Sequence, residues 1–249
     1  MKRQQFIILL AFFLLNVSFS ACNQQTAIKE LNQAERLMSS HPDSALLVLG
    51  SIASPEKMRK ADYAEYCLLL TEARDKTYFA FTSDSVIRVA EAYYEKTDDE
   101  QKLAKVYYYQ GRVHQEMQEI PYALEYYLQA KDIAGEGLEN ARLLSRIYNS
   151  IGSLYTRLHI YDDAMEAYKE AEHYLCACED SVGLPFVLRN MARIYHATEK
   201  LDSAAFYYLQ TIEYFTCVCP LKRLILYSIG YHLGLLDKIC SCFLIYWYS

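Results

Sequence analysis

Six of the chain's eight cysteines stand in three C-x-C pairs: Cys176/Cys178, Cys217/Cys219 and Cys240/Cys242. The first two pairs lie 41 residues apart. Four thiolates on neighbouring elements would make a tetrahedral zinc site. The spacing is not the usual C-x-x-C, and an oxidising compartment would favour an inter-element disulfide instead. Duplicated apolar packing is the third reading and the preferred one, so no metal is expected. The six histidines (His41, His114, His159, His173, His196 and His232) are scattered. There is no P-loop, no dinucleotide glycine fingerprint, no G-x-S-x-G and no H-E-x-x-H. The residues therefore point to a non-enzymatic protein with no cofactor and no small-molecule substrate.

The spacing of the cysteine pairs belongs to a larger pattern. Gly111 is followed twelve residues later by Ala123, Gly152 by Ala164, and Ala192 by Ala204. The starts are 41 and 40 residues apart. Around them, Tyr107, His114, Tyr127 and Ala130 match Tyr148, Tyr155, Tyr168 and Ala171, and then Leu188, Tyr195, Tyr208 and Thr211. A fixed period of this size marks helical hairpins that bury a common core only by stacking. Small residues sit where two helices cross closely, and the aromatics fill the space they leave.

These motifs resemble the tetratricopeptide repeat, whose signature is a large residue, a small one, an aromatic and then A-x-x-x-F-x-x-A. The resemblance implies an all-α, right-handed α-solenoid of stacked antiparallel helix pairs. His114 stands where an aromatic is usual, and Thr211 where a small residue is usual. The usual closing proline is missing, and the period exceeds the customary 34 residues. Longer helices or longer turns are therefore required, with 135–144 and 178–185 as the expected turns because they hold Gly, Asn, Asp and Pro. In repeats of this kind the first helix of each pair lines a groove. The resemblance places Lys105, Tyr108, Arg112, Gln115 and Glu116 there from the first repeat. From the second come Arg146, Asn149, Ser153, Thr156 and Arg157, and from the third Phe186, Arg189, Arg193, His196 and Ala197. An acidic protein thus sets six basic side chains and one acid on one face. Arginine forks suit carboxylates, so an acidic peptide segment is the expected ligand. The alternative is that these arginines pair with Glu and Asp on neighbouring helices. The family's Lys/Asn carboxylate clamp is not reproduced.

The N-terminus carries a different signal. Lys2 and Arg3 precede an apolar run from Phe6 to Val17, broken only by Asn16, and small residues lead to Cys22. The run is too short for a spanning helix and reads as a signal peptide. Ser20-Ala21-Cys22 resembles a bacterial lipobox, which implies cleavage before Cys22 and lipidation of its thiol; Phe19 departs from the usual leucine-like residue. A plain secretory peptide is the alternative. Lipid chains would anchor the mature protein to a membrane. Asn23 and the lack of an acidic run point to the periplasmic face of the outer membrane. Removing Lys2 and Arg3 leaves 23 basic against 31 acidic side chains, a net charge of −8. That balance argues against nucleic-acid binding by charge.

The expected organisation is a signal segment (1–21), divergent helical hairpins (22–103), three repeats (104–137, 145–178 and 185–218) and an incomplete repeat (219–249). Within the divergent part, helices are expected over Ala27–Met38, over Ala45–Ile52 capped by Asp43 or Ser44, from Ser54-Pro55-Glu56 through Phe79, and over Val86–Tyr94 capped by Ser83-Asp84-Ser85. Tyr227-Ser228-Ile229-Gly230 echoes Asn149-Ser150-Ile151-Gly152, yet the chain then turns strongly apolar. Three readings of that tail stand: a partner surface, a membrane contact, or a truncated gene, which is preferred. Two functions follow: a lipid-anchored scaffold that binds a protein or peptide, or the sensory repeat portion of a truncated membrane-linked transcriptional regulator.

Overall fold

The computed structural model describes residues 26–180 and 182–218, which form ten α-helices, two 3-10 turns and short connections. No strand occurs among the described residues. The signal segment with Cys22, the tail 219–249 and the side chain of Cys217 lie outside them. The chain divides into two compact units between Ile133 and Ala134, at the last residue of a helix.

The first unit contains α1 (26–37), α2 (Pro42–Ser51), α3 (Lys60–Lys76), α4 (Ser85–Tyr94), α5 (Glu100–Glu116) and α6 (Ile120–Ala134). Ala27, Leu31 and Ala34 make one stripe of α1, which with Met38 just past its end is buried against Ala45 and Leu49 of α2 and Leu69, Leu70 and Ala73 of α3. Lys76 Nζ donates to the Met38 carbonyl at 3.1 Å, so α1 and α3 end at the same side and run the same way. The intervening α2 therefore runs back between them.

Several local expectations change here. Neither Asp43 nor Ser44 caps α2. His41 is its N-cap without a side-chain bond, and Pro42 opens the helix, where its missing N–H costs nothing. The long helix expected from Ser54 is two pieces. Pro55–Lys57 is a 3-10 turn, the chain is extended at Met58, and α3 starts only at Lys60. Asp84 is the N-cap of α4, but its carboxylate binds Arg88 at 3.1 Å instead of the backbone, and Ser83 Oγ accepts from Ser85 N–H.

The second unit contains α7 (Ala141–Arg157), α8 (Tyr161–Ala177), α9 (Leu184–Ala197) and α10 (Leu201–Val218). Ala164, Tyr168, Ala171 and Leu175 of α8 pack on Leu184, Val187, Leu188 and Met191 of α9. The long period is absorbed mainly by 17-residue helices. The turns expected at 135–144 and 178–185 are shorter than that. α7 already begins at Ala141 and buries it, and Pro185 sits in the first turn of α9.

Each unit contains a seam of the same kind. A Cβ built on Gly111 would come within 2.5 Å of the Tyr127 ring, and one on Gly152 within 2.8 Å of the Tyr168 ring. Both tyrosines are fully or almost fully buried, and each contributes about 2–3 kcal/mol by leaving water. The third repeat keeps the plan with Ala192 against Ala204 and Tyr208. The two departures from the motif also fit. His114 stacks on Tyr126 with centroids 5.2 Å apart and gives Glu119 a 2.6 Å bond through Nδ1. The Thr211 hydroxyl is fully buried and donates to the Tyr207 carbonyl.

Candidate ligand-binding face

In the first unit the expected groove positions lie on α5, facing α3. Lys105 Nζ sits 2.5 Å from Glu72 Oε2, an ionic contact and not an aligned hydrogen bond. Lys76 holds the other oxygen of Glu72 at 2.8 Å. Arg112 meets Asp75 through Nε and an Nη, at 2.8 and 2.7 Å. Lys102 Nζ reaches Glu65 at 2.5 Å, and Glu65 also accepts from the Tyr94 hydroxyl. Acids ascending α3 thus meet bases ascending α5, so these two helices are parallel.

Burial alone would raise the Glu72 carboxyl, but Lys105 and Lys76 outweigh it and hold the group below its ordinary value. Burial likewise opposes the Arg112 charge, yet Asp75 overrides it and keeps the guanidinium above its ordinary value. Tyr108 is buried edge-on against Tyr109, and Gln115 accepts from the Tyr127 hydroxyl. The α5 bases on this face are therefore matched internally. Sequence reading passed over Glu65, Glu72 and Asp75; the available signal was acids on the preceding first helix, 33 or 37 residues before each base.

In the second unit the corresponding face is made by α7 and α9. Asn190 Nδ2 donates to Asn149 Oδ1 at 3.1 Å across the two helices. Thr156 and Tyr168 hydroxyls lie 3.3 Å apart behind them. Arg146 is half-buried and Arg157 exposed on α7. Arg189 is half-buried with its guanidinium 5.4 Å from the Phe186 ring centroid, a cation–π contact. Its Nε is buried and has no hydrogen-bond partner among the described residues. Arg193, one turn further on, is exposed, and neither arginine has a carboxylate at ion-pair distance among the described residues. Burial, and then the like charge of Arg193, hold Arg189 below its ordinary value, against the opposing pull of Tyr168 and Tyr208. An anion beside the pair would answer the repulsion.

The thiols form no comparable centre. Cys67 is buried in α3, and burial pushes its thiol up to about 11. Cys176 is exposed at the last turn of α8, so the apolar packing expected of it does not occur. Cys178 is half-buried and its Sγ points to the Leu175 carbonyl at 3.6 Å. Among the described residues there is no cluster of metal ligands and no helix long and apolar enough to cross a membrane.

No protein-family model matches the sequence, and no curated protein matches it. Solved structures do. BtubC from P. vanneervenii superposes with a TM-score of 0.60 at 18% identity, over 89% of this chain and 84% of that one. The apo form of RapI gives 0.62 at 14% identity, over 88% and 74%. A signal-transduction ATPase with a tetratricopeptide repeat sensor, from Pyrococcus horikoshii, gives 0.60 at 15% identity; 82% of this chain spans 33% of that one. These are helical-repeat proteins, and at such identities the likeness concerns architecture. With its small-residue seams and paired helices, this chain has the fold of the tetratricopeptide repeat proteins.

Proposed function

We propose that this protein is a non-enzymatic scaffold that binds an acidic protein segment on the α7/α9 face. The arginine pair Arg189 and Arg193 carries the reading: two cations on one helix, without carboxylate partners among the described residues, in a protein of net charge −6. Desolvated guanidinium groups bind carboxylates strongly and in a fixed geometry. Helical-repeat architecture suits the role because it presents an extended face without an enclosed pocket. Exchanging Arg146, Arg157 and Arg193 for Glu should abolish capture of partners from envelope extracts and of immobilised acidic peptides. Unchanged capture would remove the acidic-segment reading.

The proposal places the scaffold on the periplasmic side of the outer membrane, held by lipid on Cys22. The basic n-region, short apolar run and Ser20-Ala21-Cys22 ending support this. Fatty-acid labelling in cells should mark the wild-type chain and be lost in Cys22→Ser. Labelling that persists in the variant, or is absent from both, would remove the anchor.

A further inference from the structure

Arg189 and Arg193 lie four residues apart on one helix, so they rise by about 6 Å along it and share a face. Phe186 stands on the same face one turn before Arg189 and touches it. This row of ring, half-buried fork and exposed fork sets a spacing that a ligand must match. In an extended peptide, residues two apart point the same way and stand about 6.7 Å apart. Adjacent residues point oppositely, and residues three apart are about 10 Å away on opposite sides.

We infer that the α7/α9 face reads an extended acid-x-acid motif, with one carboxylate on Arg189, the next but one on Arg193, and an apolar side chain two residues before the first acid resting on Phe186. The inference builds on the acidic-segment reading above and specifies its ligand. Two observations favour an extended ligand over a helical one. Asn149 and Asn190 spend one donor and one acceptor on each other and keep further amide capacity on this face. An extended backbone has free N–H and C=O groups to use it, whereas a helix has already paired its own. In addition, Arg189 is half-buried beside an aromatic ring, where a slim extended chain reaches its guanidinium more easily than a helix of about 10 Å diameter does.

The assignment also explains the unequal burial of the pair. Arg189 is pre-oriented by Phe186 and loses little side-chain freedom on binding, which suits it to hold the first carboxylate. Arg193 is exposed and gives an electrostatically steered second contact that weakens with salt.

The test uses the full-length chain and synthetic peptides of equal length and net charge. The probes are Phe-Ser-Glu-Ser-Glu, Phe-Ser-Ser-Glu-Glu and Phe-Glu-Ser-Ser-Glu, each flanked by Gly and Ser, with affinity read by fluorescence anisotropy. The acid-x-acid peptide should bind roughly tenfold more tightly than the other two, the scale of one lost charged contact. Arg193→Gln should erase that preference without moving the unfolding midpoint, because the residue is exposed and unpaired among the described residues. Phe186→Ala should weaken the same peptide but not a version in which Ser replaces its Phe. Equal binding of all three peptides, still lost in Arg193→Gln, would overturn the spacing and leave the acidic-segment reading intact. Absence of binding, or binding indifferent to Arg193→Gln, would overturn both.

Discussion

The α3/α5 face of the first unit and the α7/α9 face of the second occupy the same place in the repeat and use it oppositely. On α5, Lys102, Lys105 and Arg112 each meet an acid of α3. On α9, Arg189 and Arg193 meet none among the described residues, and α7, unlike α3, carries no acid. The small-residue seam behind both faces is the same. Packing thus fixes the seam, while the face in front is free to be satisfied from within or left for a ligand. A basic face therefore reads as a binding surface only where the preceding first helix supplies no acids.

The sharpest way to break this contrast is to remove one charge from each face. Glu72→Ala takes away a buried carboxylate shared by Lys76 and Lys105 and leaves both cations facing each other. The cost should be about 3 kcal/mol, as for other broken buried pairs. Arg193→Gln should change stability by less than about 0.5 kcal/mol. Denaturant midpoints of the two variants decide it; equal losses would mean that the faces are not different in kind. The pH dependence has a definite sign. The folded-state value of Glu72 lies below its ordinary 4.5, so its contribution is complete above that pH and is lost as pH falls through the lower folded value. The gap between wild type and Glu72→Ala should stay level from neutral pH down to about pH 5 and close under stronger acid.

A smaller effect should be common to both units, because it touches the shared seam. Gly111→Ala and Gly152→Ala each drive a methyl into a buried tyrosine ring, at 2.5 and 2.8 Å. Overpacking of this kind costs about 1–3 kcal/mol, with Gly111 the more sensitive. Thermal unfolding of both variants checks the order. If Gly152→Ala were harmless while Gly111→Ala was not, the seam would differ between units as the faces do.

Much of this was legible in the sequence because packing repeats. Gly111, Gly152, Ala123 and Ala164 recur at fixed offsets, and each is buried where the period places it. Composition also located the inter-repeat turns, although their ends moved because helices tolerate proline in a first turn, as at Pro185. The groove residues were named by position, but position does not say what stands opposite. Glu72 and Asp75 belong to a helix whose repeat pattern is degenerate, so their register against α5 could not be counted. Distinguishing Arg112 from Arg189 required knowing which had a carboxylate across the helix pair.

The hairpin turns were the least legible feature, and they give the smallest test. Gln118, His159 and Glu199 occupy equivalent places and all take positive φ, at 66, 61 and 60°. In each turn the next residue's N–H returns to the carbonyl five residues earlier at 2.9 Å: Glu119 to His114, Ile160 to Tyr155, and Lys200 to Tyr195. This is the helix-ending arrangement that glycine usually serves, so the absence of glycine hid it. A non-glycine residue there costs about 1–2 kcal/mol, and glycine would relieve that while adding roughly 0.5–1 kcal/mol of unfolded-chain entropy. Glu199→Gly in the second unit should therefore gain about 0.5 kcal/mol, and Gln118→Gly in the first somewhat less, since its side-chain amide donates to the Glu116 carbonyl at 3.5 Å. His159→Gly should gain less, since it also gives up the 2.8 Å bond to the Tyr161 hydroxyl. Gln118→Gly and Glu199→Gly fall in different turns, so their gains should add in a double variant. A loss of stability in either would show that its turn is held by the side chain and not merely tolerated by the backbone, and the two units would then differ in their turns as well as in their faces.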